Sequence, residues 1–147
     1  WEKLKRHEEG YEQRSSVLDG VPRQLPALQR ALKVQKRAAR VGFDWPDAQG
    51  PRQKIAEELA ELDRAEPDQR EHEVGDLLFA VVNLARWLEV EPESALRAAV
   101  ARFERRFRAM EQAAGGSDGL RQLTLPQMDE LWDEAKSAEV PAKGSEQ

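Results

Sequence analysis

Cysteine is absent from the chain, which excludes disulfides, thiolate metal centres and a cysteine nucleophile. No apolar run is long enough to span a membrane, and no signal-peptide pattern occurs, so a soluble, cytoplasmic protein is expected. The net charge of −5 lacks the positive excess of a general nucleic-acid binder. Strand-type alternation and internal repeats are missing as well. The two histidines, His7 and His72, show no ligand spacing, and no Glu-x-x-His occurs, which argues against a di-iron bundle. Aromatics are sparse at 6% while charged residues reach 35%, a composition suited to amphipathic helices. The 147 residues suffice for one domain with a core and are too few for two ordinary ones. A start at Trp1 rather than Met is what a piece of a longer protein would show.

Against that background stand two acidic runs, Glu57-Glu58-Leu59-Ala60-Glu61 and Glu73-Val74-Gly75-Asp76. On a helix each residue advances about 100°, so Glu57, Glu58 and Glu61 share an arc of roughly 100°. Glu73 and Asp76 are neighbours on one face, and Asn83, two turns further on, extends the same stripe. Asp76 opens Asp-Leu-Leu-Phe-Ala-Val-Val-Asn-Leu-Ala, the most apolar helical stretch of the chain. A half-buried carboxylate is costly unless it is paired or bound to a metal. Carboxylates converging from two helices would repel one another, and a hard divalent cation held by oxygen ligands relieves that repulsion.

The pattern predicts an all-α chain. Residues 1–24 read as a short helix, Trp1 to about Glu9, and a linker. A helix is expected from about Leu25 to Arg40, with Leu25, Leu28, Leu32, Ala39 and Val41 as core candidates. Further helices are expected near Pro51–Ala65, Asp68–Leu88 and Pro92–Ala113. Gly115-Gly116-Ser117 is a flexible break, followed by a last helix from Thr124 or Leu125 to Ala138. A disordered tail fills 139–147, which leaves 25–138 as the principal domain. Only a few residues join the second and third helices, so they should pair as an antiparallel hairpin and bring Glu61 near Glu73. The fourth helix carries Arg97, Arg102, Arg105, Arg106 and Arg108, with Arg102 and Arg106 one turn apart beside Phe103 and Phe107. Carboxylates for a cation beside guanidiniums for phosphate oxygens suit a metal-phosphate ligand. Phe43 and Trp45 lie in a turn-rich connection as packing residues, with Trp45 placed to border a base.

Glu57-Glu58-x-x-Glu61 followed by Glu73-x-x-Asp76 resembles the signature of the all-α nucleoside triphosphate pyrophosphohydrolases. Four further segments narrow the resemblance to the MazG branch: Lys36 to Pro46, Gly75 to Ala80, Val82 to Arg86 and Phe103 to Phe107. It covers roughly Trp1 to Lys136 and points to the C-terminal domain of two-domain proteins. The resemblance implies a four-helix MazG-like bundle with an extra C-terminal helix, assembled as a homodimer or a dimer of dimers. It also implies Mg²⁺-dependent hydrolysis of NTPs or dNTPs to the monophosphate and pyrophosphate, a nucleotide-pool housekeeping role, with Mn²⁺ as the alternative cation. By the same resemblance Glu58, Glu61, Glu73 and Asp76 are the metal ligands, and Glu57 is a further carboxylate that orients or activates water. Lys54, Arg102 and Arg106 would touch phosphate, and Trp132 and Lys136 would lie over the nucleotide; Asn83, from its place on the Asp76 stripe, is a further substrate-binding candidate. The sequence departs from the family pattern in the short Leu62–His72 link, in Gln69 where a lysine is common, and in Val100 where an asparagine is common. The competing readings are a helical regulatory or interaction domain with a weak or vestigial site, and a narrower dUTP- or dCTP-type pyrophosphatase.

Overall fold

Pro26 prepares the first helix, because its ring holds φ at −52° while its ψ of 145° is still extended. In the computed structural model, which describes residues 15–144 with side chains to Glu139, helix α1 then runs over Ala27–Arg40. The short helix expected at Trp1–Glu9 lies outside the described residues. Gly42 closes α1 at φ +96°, with the Val41 and Phe43 amides donating to the Ala38 carbonyl and the Gly42 amide to that of Ala39. That left-handed conformation is cheap for glycine alone. Val41, expected in the core, is instead 63% exposed, because as the cap residue it has left the buried face of the helix. Leu32 and Gln35 are the α1 residues that are fully buried.

Helix α2 spans Gln49–Arg64 and starts two residues before the expected Pro51. Pro51 is tolerated there because first-turn N–H groups have no intrahelical acceptor. A Cβ on Gly50 would meet the Trp45 ring at 2.6–2.8 Å, so the missing side chain is what lets the indole lie on the first turn of α2. A 3₁₀ turn at Pro67–Gln69 takes up the chain where the third helix was expected to begin, and α3 follows over Arg70–Trp87. Glu71 and Glu73 in its first turn complement the helix dipole. α2 and α3 pack as a helical hairpin, and α1 also packs on α3. α3 buries Ala80 and Val82 but leaves Val74, Leu78 and Val81 42%, 52% and 45% exposed.

Helix α4 covers Pro92–Ala113, with the Glu91 carboxylate accepting the Glu93 and Ser94 amides at 3.1 and 2.6 Å. The chain divides into two compact units, one up to Ala95 and one from Leu96, so α4 begins in the first and continues in the second. Gly115 and Gly116 take φ of 86° and 113°, and a short α5, Ser117–Arg121, follows where only a flexible break was expected. Helix α6 spans Leu125–Gly144. Thr124 and Gln127 fix its start reciprocally: the Gln127 amide donates to Thr124 Oγ1, and the Thr124 amide to Gln127 Oε1. The expected end at Ala138 is overrun, and residues 139–144, assigned to a disordered tail, are helical. At the start of this extension the Glu139 carboxylate accepts from Arg106 Nε and Nη2 at 3.1 and 2.8 Å within the second unit.

Among the described residues the regular structure is wholly helical, six α-helices with no strand, as the sequence predicts. None of these helices is long and apolar enough to cross a membrane. The Gly50 contact gives a direct test. Gly50→Ala gains about 1 kcal/mol of helix propensity, but overpacking the indole costs about 1–3 kcal/mol. The melting temperature should therefore fall, and Trp45→Ala in the same chain should recover it. A higher melting temperature for Gly50→Ala alone would mean that the ring is not held there.

Candidate functional site

The helical hairpin decides which carboxylates meet. Glu58 on α2 faces inward at 4% exposure, whereas Glu57 beside it keeps 64% of its side chain in solvent. Lys54, one turn earlier, places Nζ 2.9 Å from Glu58 Oε1 and 3.7 Å from Glu57 Oε2. The other Glu58 oxygen is buried without a hydrogen-bond partner, and so is Oε2 of Glu73 on α3. One oxygen each of Glu58, Glu61 and Glu73 lies within 4.8 Å of the others. Like charges this close disfavour ionisation. The Glu61 carboxyl is accordingly held above its ordinary range, first by the charge of Glu58, then by desolvation and by Glu73. Lys54 is pushed up in turn, chiefly by its bond to Glu58.

Asp76 meets a different neighbour. His72 Nε2 lies 3.2 Å from Asp76 Oδ2, and His72, Glu73 and Asp76 form a second group with ligand atoms within 4.8 Å. Glu73 is thus common to both groups. The sequence reading gave His72 no part in a site; its signal was the one-turn spacing to Asp76. Buried carboxylate oxygens with no donor, clustered with further carboxylates, are the donor set of a hard divalent cation. The residues present fit such an ion.

A cavity of about 630 Å³ opens beside these groups within the first unit. Lys54, Glu58 and Asp76 line it together with Val34, Ala38, Phe43, Trp45, Phe79 and Ala80, so charged groups and an apolar wall share one space. Asn83 also lines it, and its Oδ1 accepts from Arg86 Nε at 2.8 Å. Arg86 in turn donates to both oxygens of Asp44. That bond, more than any other influence, holds the Asp44 carboxyl below the usual range. Gln35 Nε2 donates to the Phe79 carbonyl at 2.9 Å and ties α1 to α3 in the cavity wall. The sequence reading assigned no site role to Asp44, Arg86 or Gln35. Asn83-x-x-Arg86 carried a helical-neighbour signal, whereas Asp44 and Arg86 are 42 residues apart and gave no local one.

Arg102, Arg106, Trp132 and Lys136 belong to the second unit. There the Arg106 guanidinium stands 5.6 Å over the Trp132 ring while bonding Glu139. Trp132 also packs on Phe103, with ring centroids 5.5 Å apart at 46°. Arg106 and Trp132 are therefore brought together, beside the Phe103 of the expected apolar stripe and with Glu139 as a neighbour that the sequence did not single out. Arg102 and Lys136 are exposed.

No family model matches the chain. It is 44% identical over 142 residues to a protein of Thermotoga maritima named nucleoside triphosphate pyrophosphohydrolase/pyrophosphatase MazG, covering 95% of this chain and 55% of that one. It is 45% identical over 148 residues to the nucleoside triphosphate pyrophosphohydrolase of Escherichia coli K12, covering 95% and 56%. It is also 44% identical over 146 residues to the uncharacterized protein YabN of Bacillus subtilis, covering 95% and 29%. The chain thus spans about half the length of the first two relatives.

The raised Glu61 pKa gives a signed prediction. Between the ordinary carboxyl value of 4.5 and the higher folded value, the folded chain binds more protons than the unfolded one. Stability without metal should therefore fall as pH rises through that window. Millimolar Mg²⁺ or Mn²⁺ should stabilise the fold at neutral pH, by about 2.7 kcal/mol at a hundredfold excess over Kd, and so raise the melting temperature. Glu61→Gln should flatten the pH slope, and Asp76→Asn should remove most of the metal gain. A melting temperature indifferent to both cations would rule out the metal assignment.

Proposed function

Because the chain is a homologue of the MazG nucleoside triphosphate pyrophosphohydrolases, we propose that it hydrolyses NTPs and dNTPs to the monophosphate and pyrophosphate. The observation that carries this reading is the convergence of Glu58, Glu61 and Glu73 at the edge of a cavity large enough for a nucleoside. Residues 25–138 form the working domain. The role is removal of nucleotides from the cytoplasmic pool.

Glu58, Glu61, Glu73 and Asp76 would hold Mg²⁺, with Mn²⁺ as the alternative. The cation, when bound, supplies neutralisation of phosphate charge and polarisation of the phosphorus and of the attacking water. Glu57 remains exposed beside the cluster and orients that water, accepting its proton as the oxygen attacks the α-phosphorus. Lys54 exchanges its bond to Glu58 for a phosphate oxygen. Pyrophosphate leaves with the electrons of the broken P–O bond. Asn83 contacts the substrate from the cavity wall.

Pyrophosphate release from a panel of all common NTPs and dNTPs tests the reading. Glu58→Gln should lower kcat/KM by at least about a hundredfold, as loss of a group that stabilises transition-state charge commonly does. Activity confined to dUTP or dCTP would restrict the substrate class, and no release from any member of the panel would end the proposal.

The same reading includes a homodimer or a dimer of dimers. Val74, Leu78 and Val81, spaced i, i+4 and i+7 along one face of α3 and each 42–52% exposed, support it, since a contiguous exposed apolar patch marks an association surface. Light scattering at micromolar concentration should give at least twice the 16.7 kDa chain mass. A mass of one chain would exclude this assembly.

A further inference from the structure

We propose that Asp44 and Arg86 are positioning residues that fix the Asn83 carboxamide as a hydrogen-bond donor to the nucleoside part of the substrate. A guanidinium has five N–H donors and no acceptor. With Arg86 Nε donating to Asn83 Oδ1 at 2.8 Å, the carbonyl side of the amide must face Arg86. Turning the amide over would set its NH₂ against the guanidinium. The Nδ2 donors are thereby assigned to the remaining side, and Asn83 lines the cavity.

Arg86 could satisfy one amide in several rotamers, and Asp44 removes that freedom. Its two oxygens accept from Nη1 and Nη2 of Arg86, a fork-to-fork pairing that fixes the guanidinium plane. The pair is largely shielded, with 13% of the Arg86 and 26% of the Asp44 side chain exposed. Asp44 is anchored in its turn, because Oδ1 also accepts the Trp45 amide at 2.7 Å. One loop therefore dictates, through one guanidinium, which way an amide on α3 points.

The position of Asn83 selects the part of the ligand. It stands seven residues beyond Asp76 on one helix, a rise of about 10 Å. A nucleotide whose α-phosphate lies at the carboxylates would bring its sugar or base, rather than another phosphate, to that level. The acceptor is a sugar hydroxyl oxygen or a carbonyl or ring nitrogen of the base. This deepens the pyrophosphohydrolase reading and rests on it for the identity of the ligand.

The test compares the 147-residue protein with Asp44→Asn, Asp44→Glu, Asn83→Asp and the Asp44→Asn/Asn83→Asp double variant. Asp44→Asn should raise KM for nucleoside triphosphates about tenfold, worth about 1.4 kcal/mol, with kcat within about twofold. Asp44→Glu, which keeps an anionic partner for Arg86, should recover most of the loss. Asn83→Asp, which has no donor, should match the rise, and the double variant should add nothing further. Inhibition by inorganic triphosphate should be unchanged in all four. Dideoxynucleotide and abasic triphosphates then identify the acceptor, as the one whose removal erases the difference between the parent and Asn83→Asp.

Weakened triphosphate inhibition, additive KM effects or a loss confined to kcat would each overturn the proposal. If the parent releases no pyrophosphate, the pyrophosphohydrolase reading fails, and the orientation of Asn83 is judged separately from its side-chain ¹⁵N amide signals. These should move in Asp44→Asn and return in Asp44→Glu, and unmoved signals would overturn the role of Asp44.

Discussion

Three carboxylates crowded within 4.8 Å set the terms for the first unit. Two of them hold buried oxygens with no donor, an arrangement that folding alone does not favour. It persists because the packing of α2 on α3 decides the positions of Glu58 and Glu73 together, so neither can leave without disturbing the hairpin. The electrostatic strain is partly met from within by Lys54 and by the raised proton affinity of Glu61. The remainder is an affinity for external positive charge, which is why the metal reading follows from the hairpin rather than being added to it.

The cavity extends the same logic. Its acidic edge comes from α2 and α3, while its apolar wall comes from α1, α3 and the loop between α1 and α2. That loop is fixed at both ends of its course, by the left-handed turn at Gly42 and by the Trp45 ring seated on Gly50. Asp44 stands between these two points and holds Arg86, a fellow lining residue of the cavity. Backbone conformation, aromatic packing and one ion pair thus act on the same few residues.

Much of this was legible in the sequence, for particular reasons. The helical period placed Glu57, Glu58 and Glu61 on one arc and Asp76 with Asn83 on one stripe, and the short Glu66-Pro67-Asp68 connection implied the hairpin. The depth of each group was not legible, because Glu57 and Glu58 are adjacent in sequence and only packing separates the exposed one from the buried one. Val41 looked apolar enough for the core but lies past the last turn of its helix. α5 was hidden by two glycines that promised only a break. The Asp44–Arg86 pair joins residues 42 apart, where local pattern carries no information.

Lys54 has one further consequence. Tethered one turn from Glu58, its ammonium is a counter-ion at a fixed local concentration that dilution cannot lower. A mobile cation entering the cluster competes with this resident charge rather than with bulk salt. An arriving anion that draws Lys54 away leaves Glu58 with a vacant oxygen and a stronger pull on the metal. By reciprocity, metal that displaces the ammonium makes it available to the anion. In the proposed site a single lysine would therefore couple the uptake of two oppositely charged ligands, each binding better when the other is present.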